Sequence, residues 1–150
     1  MKNFKKIFLV LAFIALDQIV KFFVKANMEV GESIPVIKDI FHITYVRNTG
    51  AAWSIFAGQK WLLIIIPGII MLVLLVLYFL KDKGKMLMSS LALIISGGIG
   101  NLIDRITCSY VCDMFDFRIW PVFNVADICV VCGCVLLCIY IIFYSDDRKK

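Results

Sequence analysis

The chain has 150 residues, 62% of them hydrophobic, with a mean hydropathy of +0.94 and a formal net charge of +5. Soluble domains are about 45–50% apolar, which argues against a water-soluble globule and for one membrane-embedded domain over 1–150. The charge leaves nucleic acid and an anionic lipid surface as partners, and the positions of the basic residues decide between them.

Four segments are long and apolar enough to cross a bilayer, which takes about 20 helical residues. They run over about 7–25, 61–80, 86–106 and 124–144, and the second carries no charge. No internal repeat or low-complexity linker separates them. The N-terminus imitates a secretory signal, with Lys2, Lys5 and Lys6 before an apolar run. No small-x-small cleavage site precedes Asp17, and the apolar pattern continues through Phe22, Phe23 and Val24, so a retained first helix is expected. No lipidation-type cysteine follows this first run.

Lys2, Lys5 and Lys6, then Lys81, Lys83 and Lys85, then Arg148, Lys149 and Lys150 place nine basic residues on one side. The segments 28–59 and 107–123 hold only Lys38, Arg47 and Arg118. The positive-inside rule therefore predicts both termini and the 81–85 loop in the cytoplasm. The basic balance is a topology signal, and no nucleic-acid partner is needed.

Residues 34–46 are rich in β-branched and aromatic types with partial alternation, which predicts short strands. Asn48-Thr49-Gly50 reads as a turn before Ala51 and Ala52. The expectation is a small extracytoplasmic β-sheet on the membrane surface, followed by a periplasmic-type amphipathic surface helix near 53–60.

Of six cysteines, Cys129, Cys132, Cys134 and Cys138 lie in an apolar stretch, where the thiol behaves as a small hydrophobe. Cys129 and Cys132 have the spacing of a zinc or redox pair, but no second pair follows and His42, the single histidine, is distant in sequence. Packed membrane thiols are the favoured reading. Cys108 and Cys112 fall in an extracytoplasmic segment, where a disulfide is chemically allowed.

Ionisable groups inside a span cost free energy and need a partner or a purpose. Asp17 lies about 15 Å along the first helix from Ile7, at a rise of about 1.5 Å per residue, near mid-bilayer. Lys21 follows at i+4 on the same face. One reading is a self-neutralising pair whose Lys21 snorkels outward. The favoured reading is structural support for a polar site in the bundle, because a carboxylate beside a lysine stays ionised and committed.

In the third span Gly97, Asn101 and Asp104 fall at i, i+4 and i+7, on one helical stripe. Glycine permits close helix approach in lipid, but packing alone does not explain Asn101, Asp104 and Arg105 within five residues. The fourth span opens with Asn124 and Asp127, one turn apart on one face. Asp127 has no basic neighbour, and apolar residues and cysteines follow it.

Asp113 precedes Asp127 by 14 residues in an otherwise apolar stretch, and Arg118 to Val122 can return the chain to the membrane as a short loop. Two carboxylates sharing one proton are the working unit of aspartic proteases: one activates water while the other polarises the scissile carbonyl. On spacing alone Asp116 rivals Asp113 as the partner of Asp127. An ion-coupled transporter using Asp17, Lys21 and Asp127 would need polar residues continuing across the membrane, and 128–143 supplies almost none. A serine hydrolase would need Ser54 or Ser96 beside a histidine, and a zinc enzyme would need clustered histidines and acids.

The chain resembles the lipoprotein signal peptidases (signal peptidase II), aspartic membrane proteases of bacteria, over essentially its whole length. The likeness rests on Leu16-Asp17-Gln18-Ile19-Val20-Lys21, on Arg47-Asn48-Thr49-Gly50-Ala51-Ala52-Trp53-Ser54 and on Gly97-Gly98-Ile99-Gly100-Asn101-Leu102-Ile103-Asp104-Arg105. Val111-Cys112-Asp113-Met114-Phe115 and Phe123-Asn124-Val125-Ala126-Asp127 complete it. It implies that Asp113 and Asp127 form the catalytic dyad and ranks Asp116 as a neighbour. It implies a prolipoprotein substrate bearing diacylglyceryl on its cysteine, cut on the N-terminal side of that cysteine. Asn48, Asn101, Arg105 and Asn124 match substrate-binding positions, while Asp17, Lys21, Gly97 and Asp104 match positions that brace the pocket. The resemblance further implies no metal or organic cofactor, sensitivity to the cyclic peptide globomycin, a bacterial cytoplasmic membrane location, and membrane lipid as a partner. A monomer is expected. Cys112 stands where Val is more usual and Trp53 where Phe is commoner; both are apolar and leave the chemistry intact.

Overall fold

The structure is a computed structural model and describes residues 2–50, 58–80 and 84–144. Its elements are α1 (Lys2–Asn27), β1 (Ser33–Ile37), β2 (Phe41–Asn48), α2 (Lys60–Leu80), α3 (Lys85–Cys108), β3 (Val111–Asp116) and α4 (Val125–Tyr144). All four helices are long and apolar enough to cross a membrane, and each contains nearly all of one expected span. The ends run past the apolar cores because lysines at the bilayer edge reach water while their backbone stays helical.

The spans differ in a way that identifies the centre of the bundle. α3 has the lowest hydropathy, 1.8 against 2.3, 3.1 and 2.7 for α1, α2 and α4, yet half of its most apolar window is buried. Lipid solvates the apolar helices, so the least apolar one sits inside, where α1, α2 and α4 all pack on it. Glycine sets the closest approach. A Cβ at Gly97 would run into the carbonyl oxygen of Ala126 on α4, and one at Gly133 would lie 2.8 Å from the carbonyl of Ser90 on α3. Pro67 lies inside α2, where it removes one backbone donor from a helix otherwise surrounded by lipid-facing Ile65, Ile66, Ile69 and Ile70.

The sheet is antiparallel in the order β1-β2-β3. β1 and β2 realise the strands expected over 34–46, joined by a turn in which Asp39 adopts a left-handed φ of 59°. β3 is an addition, because the sequence marks 107–123 only as an extracytoplasmic segment with a short return loop at 118–122. It lies on β2 with Val46 opposite Asp113 and Asn48 opposite Val111. Five of its six residues are buried. A strand covered on both faces loses the alternation that marks a half-buried one, so its sequence gives no period-two signal. The surface helix expected near 53–60 falls chiefly on 53–57, outside the described residues.

Candidate active site

Two carboxylates meet where β3 passes the start of α4. Asn124 caps α4: its Oδ1 accepts the backbone N–H of Asp127 at 2.9 Å, and Asp127 Oδ2 accepts the backbone N–H of Asn124 at 3.1 Å. This reciprocal arrangement is a capping box with Asn and Asp in place of the commoner Ser/Thr and Glu. It fixes one carboxylate oxygen of Asp127. The other accepts Asn101 Nδ2 at 2.8 Å.

The same Asn124 reaches across to the strand. Its Nδ2 donates to Asp113 Oδ1 at 2.6 Å and to Asn101 Oδ1 at 3.1 Å. Asp113 Oδ2 accepts Asn48 Nδ2 from β2 at 3.0 Å. Asn124 therefore joins Asp113 to Asp127, and each of the four carboxylate oxygens has an N–H donor. Asn124 and Asp113 are buried, at 0% and 2% exposure.

A charged column lies behind these amides. Lys21 Nζ contacts Asp17 Oδ2 at 2.8 Å, Asp104 Oδ2 at 3.1 Å and Asn101 Oδ1 at 3.0 Å. The expected Asp17–Lys21 pair is present, but Lys21 does not snorkel. It is 1% exposed, because α3 brings a second carboxylate and an amide oxygen to the three N–H bonds it must satisfy. An ammonium only donates, so the oxygen of Asn101 faces Lys21 and its NH2 is aimed at Asp127. Asp17 Oδ1 accepts the backbone N–H of Ala126 at 2.9 Å, satisfying a free donor in the first turn of α4. Asp104 also pairs with Lys25 at 3.0 Å and accepts Cys112 N at 3.1 Å, which fastens β3 to α3. Gly97 lies against Ala126, so the stripe of Gly97, Asn101 and Asp104 is the face that α3 turns to its neighbours.

Asp116 takes another course. Three positions from Asp113 along a strand, it points to the opposite face. There it pairs with Arg118 Nη1 at 2.9 Å and accepts Thr44 Oγ1 and Arg118 N, both at 2.8 Å. Burial pushes its carboxyl up, but these bonds and the Arg118 charge outweigh burial and hold it below the usual range. Asp113 differs. Burial, then the nearby Asp127 charge, push it up to about 6, against the smaller downward pull of its bonds to Asn48 and Asn124. Two interacting carboxylates titrate as a pair.

Both carboxylates open on a cavity of about 690 Å³. Asn48, Asn101 and Arg105 line its polar end, and Trp120, Val122, Ile128 and Val131 are among its apolar walls. Arg105 Nη2 donates to the carbonyl of Gly50 at 3.1 Å, and its Nε is buried with no partner among the described residues. Among the described residues no three His, Cys, Asp or Glu side chains are grouped as a metal site, and all six cysteines are free thiols. His42 Nδ1 is engaged with Ser33 Oγ at 3.0 Å on the sheet. Sequence reasoning missed the capping box, whose Asn-x-x-Asp signal opens the fourth span, and the bond from Asp17 to Ala126, which has no local signal.

The family model described as Signal peptidase (SPase) II matches residues 9–143. A lipoprotein signal peptidase of Halothermothrix orenii is 52% identical over 132 residues, covering 88% of this chain and 91% of that one. The lipoprotein signal peptidase of Clostridioides difficile is 42% identical over 147 residues, covering 95% and 98%. A bacterial membrane enzyme solved by the in meso method at 2.3 Å resolution is similar with a TM-score of 0.86 and 32% identity, covering 97% of this chain and 92% of that one. A second, at 1.9 Å, gives a TM-score of 0.83 at 32% identity, covering 94% of each.

Proposed function

The chain belongs to the signal peptidase II family, and we propose that it is an aspartic endopeptidase that removes the signal peptide from diacylglyceryl-modified prolipoproteins. It forms a single membrane-embedded domain in the bacterial cytoplasmic membrane, acts as a monomer, and has both termini in the cytoplasm. The carboxylates then work near the outer face, as the distribution of lysine and arginine requires. The cut falls on the N-terminal side of the lipid-bearing cysteine.

The observation that carries this reading is the Asn124 bridge, which holds Asp113 and Asp127 as one unit on the wall of a mainly apolar cavity. The pair shares one proton. Its ionised member takes a proton from water as the oxygen attacks the scissile carbonyl, and its protonated member donates to the carbonyl oxygen. Collapse of the tetrahedral intermediate then breaks the C–N bond: the protonated carboxyl gives its proton to the leaving amine while the ionised one takes a hydroxyl proton from the intermediate, which restores the single shared proton. Asn48, Asn101 and Asn124 hold the carboxylates, and the first two also line the cavity. Arg105, with its buried Nε unpaired, is placed to donate to a substrate carbonyl. Asp17, Lys21, Gly97 and Asp104 brace this frame.

The test incubates a diacylglyceryl-modified precursor with purified Asp113→Asn and Asp127→Asn variants. Loss of cleavage by both folded variants is expected, and normal cleavage by either would sink the dyad. Chelators are expected to leave cleavage intact; inhibition that added zinc reverses would overturn the metal-free mechanism.

A further inference from the structure

We propose that the end of the bundle nearest the dyad carries a binding surface for the phosphate of an anionic phospholipid headgroup, built from Lys25, Arg47 and Lys60. The proposal rests on the topology given above and not on the peptidase chemistry.

α3 ends at Cys108, and Ser109 adopts a left-handed φ of 68° while its N–H returns to the carbonyl of Arg105 at 3.2 Å. This reversal presents residues 108–110 beside the end of α1 and the start of α2. Lys60 Nζ donates to Ser109 Oγ at 2.8 Å. Lys25 Nζ lies 3.8 Å from Cys108 Sγ and 5.7 Å from the centre of the Tyr110 ring. The Arg47 guanidinium lies 4.8 Å from the same ring and 5.8 Å from that of Tyr45. Cations from three elements, distant in sequence, thus gather around three consecutive residues.

The charges of Arg47 and Lys60 are not balanced from within, whereas that of Lys25 is shared with Asp104. Lys21 and Lys25 are matched by Asp17 and Asp104 in the buried column. Arg47 and Lys60 have no carboxylate within ion-pair distance among the described residues, and 51–57 contains no acidic residue. Asp116 is engaged by Arg118, and Glu32 turns back to accept the N–H of Glu29. The tyrosine faces attract the cations through their quadrupoles but supply no countercharge. The positive-inside rule disfavours basic residues on this side, so gathering them in one place calls for a local anion. Lys25 is in the last turn of α1, Lys60 opens α2 and Cys108 closes α3, which sets the patch at headgroup depth, where tyrosine also concentrates. A phosphodiester with its acyl chains beside the exposed flanks of α1 and α2 fits both the charge and the depth. None of the three basic residues lines the cavity.

The experiment uses the full-length protein in neutral detergent, titrated with phosphatidylglycerol, phosphatidylcholine or inorganic phosphate and followed by native mass spectrometry. Each basic residue near an anionic surface is worth about fivefold in affinity, so Arg47→Gln and Lys60→Gln together should weaken phosphatidylglycerol binding about 25-fold. Phosphatidylcholine binding should not change. Phosphatidylglycerol binding weakened by less than about threefold in the double variant overturns the proposal, as does inorganic phosphate binding as tightly as the lipid, which would mark a small-anion site. If the double variant does not fold, the unmodified protein decides: its preference for phosphatidylglycerol must weaken steeply as salt is raised, and a salt-independent preference overturns the proposal. Cleavage is not the readout, so failure here and failure of the peptidase reading are separate results.

Discussion

Asp113→Asn separates chemistry from folding, and its effect on stability has a sign that depends on pH. Asp113 is 2% exposed, and its carboxyl is pushed up to about 6 from an ordinary 3.8. The folded state therefore holds the Asp113 proton more tightly than the unfolded chain does. This group's contribution to stability falls as pH rises from about 4 to about 6, and at pH 7 burying the charge costs about 3 kcal/mol. Asparagine carries no such charge. It does lose an acceptor: Asp113 takes N–H bonds from both Asn48 and Asn124, whereas an asparagine oxygen accepts one and its NH2 opposes the other. An unpaired buried donor costs about 1–3 kcal/mol. The two effects nearly cancel at pH 7, so thermal unfolding in detergent should fall within about 5 °C of the unsubstituted protein. Towards pH 4 the gap should widen by about 3 kcal/mol in favour of the unsubstituted protein, which alone gains from protonation. Cleavage of a diacylglyceryl precursor should drop by at least about 100-fold at every pH. A difference in unfolding that stays flat from pH 4 to 7 would refute the burial argument, and cleavage within tenfold would refute the catalytic one.

Lys21→Met leaves Asp17 and Asp104 buried without their shared cation, which should cost about 3–5 kcal/mol and show as a large fall in unfolding temperature; an unchanged temperature would mean the column is not charged as drawn. Gly97→Ala sets a methyl against the Ala126 carbonyl and should destabilise the α3–α4 contact by about 1–3 kcal/mol with loss of cleavage. Gly68→Ala, whose Cβ meets nothing within 4 Å, is the control that should unfold as the unsubstituted protein does. Asp116→Asn keeps an oxygen for the Arg118 N–H and loses a partly exposed ion pair and the Thr44 hydroxyl bond, both on the face of β3 away from Asp127, so cleavage should stay within about threefold.

How much of this was legible depends on whether the signal is local. Hydropathy marks the four spans because lipid imposes length and apolarity on each helix separately. Asn101, Asp104 and Gly97 were legible as a stripe because helical periodicity is local too. β3 was not, since both its faces are covered and its two aspartates break the apolar run. The choice between Asp113 and Asp116 turns on that strand: once it is recognised, their odd spacing sends the two carboxylates to opposite faces. The sequence leaves the course of Lys21 open between snorkelling and support for the same reason. Whether a lysine snorkels depends on what α3 offers it, and the second carboxylate comes from Asp104, 83 positions away.

The pattern of donors around Asp113 and Asp127 follows from the proton they are proposed to share. A cation in direct contact typically lowers a carboxylate pKa by one to three units and keeps it ionised. Here Asn48, Asn101 and Asn124 make the side-chain contacts, and Lys21 stands one amide away, bonded to Asn101 and committed to Asp17 and Asp104. Neutral amides fix carboxylate geometry without the Coulombic pull of a cation. The effect is visible within one strand. Asp116, in contact with Arg118, is held below the ordinary range, while Asp113, held by amides and facing Asp127, is pushed up to about 6. Replacing Asn48 by a lysine long enough to reach Asp113 would remove that distinction and should abolish cleavage while leaving the fold intact. Cleavage retained by an Asn48→Lys variant would show that the proton is not shared in the way proposed.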